Sequence, residues 1–148
     1  MRKESKGDNM INILLDFDKR FEEKMPDAAT YPGIYAVWAY NNQKDNPVWA
    51  LLDIGQAKNM SDRFSMHERK QLWQKYVENH EMKLVIYTAE IGNEHNYRDI
   101  AEAALLYKFQ PICPTNGKEG YHHEDAKICV IGHLKDVFGE FSVFNTDK

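Results

Sequence analysis

The 148-residue chain has no apolar run approaching the roughly 20 residues that span a bilayer. It has only two cysteines, Cys113 and Cys129, without CxxC spacing, which argues against a disulfide framework and fits reduced thiols in a cytoplasm. The opening MRKESKGDNM lacks the apolar centre of a signal peptide. An excess of positive charge is also missing. The formal net charge of −4 counts against a protein that coats nucleic acid, because Lys and Arg neutralising phosphate dominate such binding. It leaves room for an enzyme that touches a few phosphates at one local patch. No zinc finger, basic arm or helix-turn-helix pattern is present.

What is present reads as one soluble globular domain over 1–148, without internal repeats or low-complexity linkers. Residues 1–9 read as a flexible polar tail. In 10–30, Ile11, Ile13, Leu14, Leu15, Phe17 and Phe21 stand at mixed helical spacing, which predicts an N-terminal helix and a loop. GIYAVWAY and VWALLDIG are apolar runs separated by NNQKDNP, so 33–55 reads as an antiparallel hairpin. Asn59 can cap a helix whose apolar face continues to Val77, with a break expected near Arg69. MKLVIYTAEI predicts a third strand, and YRDIAEAALLYKFQ a strongly patterned helix. KICVIGHL and FSVF suggest two further strands in a C-terminal extension over 119–148. The expected class is α/β (α+β): a small mixed or antiparallel three-stranded sheet flanked by helices, with a core over 31–118.

Several side chains could carry chemistry. Glu102 has Leu105, Leu106 and Phe109 on its side of the helix, and a carboxylate beside so much apolar surface needs a metal, an arginine or a proton. Arg63 and His67 are four residues apart on one helix face, where a guanidinium can grip phosphate and an imidazole can move a proton. Tyr35 lies on the strand whose partner ends at Asp53, so the two are candidate neighbours. Asn116 precedes Gly117 in a loop. Taken singly, each has an ordinary structural explanation.

Their order and spacing resemble the GIY-YIG nuclease family over about residues 31–118. GIY stands intact at Gly33, Ile34 and Tyr35, and DIG at Asp53, Ile54 and Gly55 occupies the place of the second motif. Arg63 follows ten residues after Asp53, His67 one turn later, and Glu102 and Asn116 match the later glutamate and asparagine. The resemblance implies a single-metal endonuclease that hydrolyses DNA phosphodiesters. Glu102 would hold Mg²⁺ or Mn²⁺, Arg63 would neutralise charge on the phosphoryl oxygens, and Tyr35 would act as general base or orient water. His67 would take or relay the proton, and Asn116 would orient Glu102 or the base. Lys58, Arg69, Lys70 and Lys118 would add a basic patch for nucleic acid.

The departure from the family is Asp53, where tyrosine is usual. It can replace the phenol as a base or metal ligand, pair with Arg63, or simply accept backbone N–H groups at the turn. Short GIY-YIG-like proteins with an LLDIG-type second motif make the substitution look like a subfamily trait. The hairpin between the motifs is also longer than in the compact family pattern. Two readings of other classes stand beside the nuclease: a catalytically impaired nucleic-acid-binding module, and a protein-interaction scaffold.

Overall fold

The computed structural model describes residues 10–41, 47–92, 96–113 and 124–144. The expected polar tail at 1–9 lies outside them, as does most of the hairpin turn. Among the described residues, seven strands and four helices follow in the order β1 (Ile11–Phe17), β2 (Lys19–Glu22), β3 (Gly33–Asn41), β4 (Val48–Ala57), α1 (Met60–Ser65), α2 (Lys70–Asn79), β5 (Lys83–Glu90), α3 (Tyr97–Phe109), β6 (Ala126–Gly132), α4 (Lys135–Phe138) and β7 (Glu140–Val143). They build a mixed α+β fold on two sheets, one four-stranded in the order β2-β5-β3-β4 and one three-stranded in the order β1-β6-β7. Among the described residues no helix is long and apolar enough to cross a membrane.

The expectation for 10–30 is corrected: the segment forms β1 and β2, not a helix. Ile13, Leu15 and Phe17 are buried on one side while Asn12, Leu14 and Asp16 are exposed on the other, a two-residue period. Parallel pairing of Ile11–Phe17 with Ala126–Gly132 gives this strand its partner. That partner lies more than a hundred residues downstream, so nothing local favours the strand over a helix. The expected single three-stranded sheet is corrected too, because β2 extends the central sheet to four strands.

The hairpin forms as expected, with β3 antiparallel to both β4 and β5. β3 is buried on both faces, which is why its sequence is apolar without alternation. Ile34, Ala36 and Trp38 join a core with α3 and the smaller sheet, while Tyr35, Val37 and Ala39 join a second core beneath α1 and α2. The sheet is thus covered on both sides. α1 and α2 separate at 66–69, close to the expected break, and the Asn59 side chain caps α1 by accepting from the Asp62 N–H at 3.0 Å. Both cysteines are free thiols, Cys113 in the α1/α2 core and Cys129 on the smaller sheet.

Candidate active site

Tyr35 sits opposite Gly55 in the β3–β4 register, and Val37 sits opposite Asp53. Tyr35 and Asp53 are therefore diagonal neighbours on the face covered by α1 and α2. Gly55 is required there, because a Cβ at that position would collide with the Tyr35 ring and hydroxyl. Gly33 is required as well, since a Cβ there would run into the Ala89 carbonyl of β5. Both motif glycines are positions of close approach.

The Tyr35 hydroxyl lies 2.5 Å from His67 Nε2, in a buried contact. The tautomer follows from the other ring nitrogen. His67 Nδ1 accepts from the backbone N–H of Arg69 at 3.2 Å, so it carries no proton. Burial, followed by the charges of Arg63 and Arg69, pushes the His67 pKa down to about 3, so the ring is neutral at pH 7. Its one proton is on Nε2, which donates to the Tyr35 oxygen. In this arrangement His67 supports the phenol oxygen as a donor instead of receiving its proton. Burial also pushes the Tyr35 phenol above its ordinary value, and the Arg63 guanidinium opposes that shift.

Asp53 is fully buried, and its carboxylate accepts four hydrogen bonds. Arg69 Nε donates to Oδ2 at 2.6 Å and a second Arg69 nitrogen to Oδ1 at 3.4 Å. Trp73 Nε1 donates to Oδ2 at 3.0 Å and the Ile54 N–H to Oδ1 at 2.9 Å. Burial raises the Asp53 pKa, and the Arg69 hydrogen bond and charge oppose the rise. The arginine paired with Asp53 is thus Arg69, not Arg63. With its oxygens committed, Asp53 ties β4 to the start of α2 and is not aimed at solvent.

This pairing reorders the expected basic patch. The Arg69 side chain is only 11% exposed and forms an internal ion pair with Asp53. Arg63 remains at the surface, with a 3.3 Å contact to the exposed Glu68. It lines an open groove of about 690 Å³ together with Gln56, Lys58, Asn59, Arg98 and Asp99. Lys70 is exposed but lines a different cavity, beside Glu23, Lys24 and Asp27. Asn116 and Lys118 lie outside the described residues.

Glu102 is on the other side of β4, where α3 packs. It is held by Gln56, a residue the sequence reading did not single out. Gln56 Nε2 donates to Glu102 at 2.8 Å and to Asp99 at 2.6 Å, while its carbonyl oxygen accepts from Arg98 Nε at 3.0 Å. Burial raises the Glu102 pKa; the Gln56 hydrogen bond opposes this and the Asp99 charge adds to it. Strand alternation was the signal available for Gln56: it follows Gly55 and therefore faces α3. Among the described residues no group of three or more His, Cys, Asp or Glu could hold a metal ion. The donors on offer are the Glu102 and Asp99 carboxylates, hard oxygen ligands that suit Mg²⁺ or Mn²⁺ if water and substrate complete the shell. Compared with protein-family models, curated proteins and solved structures, the chain matches none.

Proposed function

From this site we propose that the protein is a metal-dependent endonuclease of GIY-YIG type, hydrolysing DNA phosphodiester bonds. The observation that carries the reading is the buried Tyr35–His67 contact under the charge of Arg63, which lines the groove with the exposed Glu68 as its ion-pair partner because Arg69 takes Asp53. Arg63 and Lys58 meet the phosphate in the groove, and Arg63 stabilises charge that develops on the phosphoryl oxygens. Glu102, with Asp99 beside it, would hold a divalent ion, since a cation would relieve both the burial of Glu102 and its repulsion from Asp99. When bound, that ion supplies Lewis acidity at the phosphate and the leaving oxygen. Tyr35, whose phenol keeps its proton, aligns the attacking water while its oxygen accepts from His67 Nε2–H, and the proton of that water passes to solvent. Asp53 acts by positioning Arg69 and α2.

One observation favours a second reading. Tyr35 is only 1% exposed and its phenol is pushed up by burial, which suits a nucleic-acid-binding module that no longer cleaves. The two readings separate on one experiment. Supercoiled, linear, single-stranded and branched DNA are incubated with wild type, Glu102→Ala and Arg63→Ala in Mg²⁺ or Mn²⁺. The nuclease reading expects metal-dependent cleavage by wild type and folded, inactive variants. Normal cleavage by Glu102→Ala refutes it, and salt-sensitive binding without product from any substrate assigns the binding module.

A further inference from the structure

The two sheets present four edges, and three are protected. β2 is four residues long and reads KRFE, a short and charged edge. β7 is also four residues long and begins with the exposed Glu140. β4 is long, but its outer side is met by Ile112 and Cys113, whose N–H groups donate to Leu51 and Leu52 at 3.0 and 2.7 Å. β1 differs. It is the outer strand of its sheet, seven residues long, and INILLDF has its only charge at Asp16.

The phase of the β1–β6 ladder shows which groups are left over. The Ile11 N–H donates to Asp125 and the Phe17 carbonyl accepts from His133, so the odd-numbered residues of β1 pair with β6. The N–H and C=O groups of Asn12 and Leu14, and the N–H of Asp16, therefore point away from the sheet, with no backbone partner among the described residues. The Asp16 carbonyl accepts from the Asp18 N–H at 2.9 Å. Leu14 is 59% exposed at the centre of this edge.

We propose that β1 is a self-association edge, whose partner is β1 of a second copy of this chain, antiparallel and centred on Leu14. In that register the two Leu14 residues exchange both N–H···O bonds, and the Asp16 N–H of each copy donates to Asn12 of the other. The Asn12 N–H groups meet the Asp16 carbonyls, which they share with Asp18. Side-chain chemistry selects the same register. On the exposed face Leu14 meets Leu14, and each Asn12 amide meets an Asp16 carboxylate. On the buried face Ile13 meets Leu15. A shift by two residues sets Leu14 against Asp16 or Asn12 and loses all of these matches. The two three-stranded sheets become one continuous six-stranded sheet, and both open edges disappear. This assembly is independent of the nuclease reading.

The test is sedimentation velocity on the full chain from about 1 to 100 µM, where a small strand-to-strand interface should show its dissociation. The expected result is a monomer–dimer equilibrium that Leu14→Lys abolishes, because two like charges would then oppose each other. Leu14→Pro should abolish it too by deleting the central N–H, and the exposed Lys variant serves as the control for folding. Register is tested by oxidation in a Cys129→Ser background, since Cys129 lies beside Leu14 within one copy. Leu14→Cys should give a covalent dimer, because hydrogen-bonded antiparallel partners have Cα atoms about 5.5 Å apart. Asn12→Cys should not, because its symmetry mate lies too far away. A monomer at every concentration, a dimer insensitive to both Leu14 variants, or equal cross-linking by Asn12→Cys would each overturn the proposal.

Discussion

Asp53→Asn is the substitution that most directly tests how this site is built. It preserves shape and one acceptor oxygen, but removes the charge that Arg69 meets at 2.6 Å. Arg69 is 11% exposed, so its guanidinium would stay largely buried with only the exposed Glu68 carboxylate, 3.6 Å away, as counter-charge; losing the buried partner costs about 3 kcal/mol or more. Either orientation of the amide sets its NH₂ against donors, the Ile54 N–H on one side or Arg69 Nε and the Trp73 Nε1–H on the other, so relaxation does not recover the loss. For a domain of this size each kcal/mol moves the midpoint by about 2–4 °C, so thermal unfolding should fall by roughly 10 °C. Arg69→Met alone should cost a similar amount by stranding the carboxylate. The double variant should recover about 2 kcal/mol or more of the summed loss, read as the coupling energy of a chemical-denaturation cycle. Additive losses, or an Asp53→Asn cost under about 1 kcal/mol, would refute the structural role and return Asp53 to the list of reactive groups.

The remaining expectations concern the same site. His67 is neutral in the fold down to about pH 3 but takes up a proton near pH 6.5 when unfolded, so its contribution to stability is full above pH 6.5 and is lost as pH falls toward 3. Between pH 7 and pH 5 this amounts to about 2 kcal/mol. The raised carboxyls of Asp53 and Glu102 act in the opposite direction, so the measurement is the difference between wild type and His67→Gln in urea unfolding across that window. An unchanged pH slope in the variant would show that His67 is not the group responsible. Gly55→Ala should destabilise by about 1–3 kcal/mol through overpacking against Tyr35, and the penalty should shrink in a Tyr35→Leu background. Gln56→Leu leaves two neighbouring carboxylates without their shared donor, so the Glu102 pKa measured by carboxyl NMR should rise further; no rise would remove Gln56 as its positioning residue.

The site was only partly legible in the sequence, for reasons that differ by residue. Tyr35 and His67 come together because the β3–β4 hairpin, two apolar runs around a polar turn, leads directly into α1 and the connection that follows it. The partner of Asp53 was harder. Arg63 has the motif spacing and lies in α1, whereas His67 and Arg69 both lie in the break between α1 and α2, not on one helix face with Arg63 as the spacing predicts. It is that break that turns the Arg69 side chain back toward β4. Arg98 and Asp99 were legible only after Gln56, since they matter through its amide.

The N-terminal segment failed for one identifiable reason, and the reason has consequences. Ile11, Ile13, Leu15 and Phe17 keep a strict strand period, and Leu14 alone breaks it, converting alternation into apparent helical spacing. A leucine on the solvent side of a half-buried strand is unremarkable by itself, but this one is at the centre of an edge where the N–H and C=O of Asn12 and Leu14 have no backbone partner among the described residues. An alternating strand would have carried a polar residue there. The exception that hid the strand is therefore also the feature that suits it to pair with another strand: a Lys or Glu at position 14 would have made the segment readable and the edge closed.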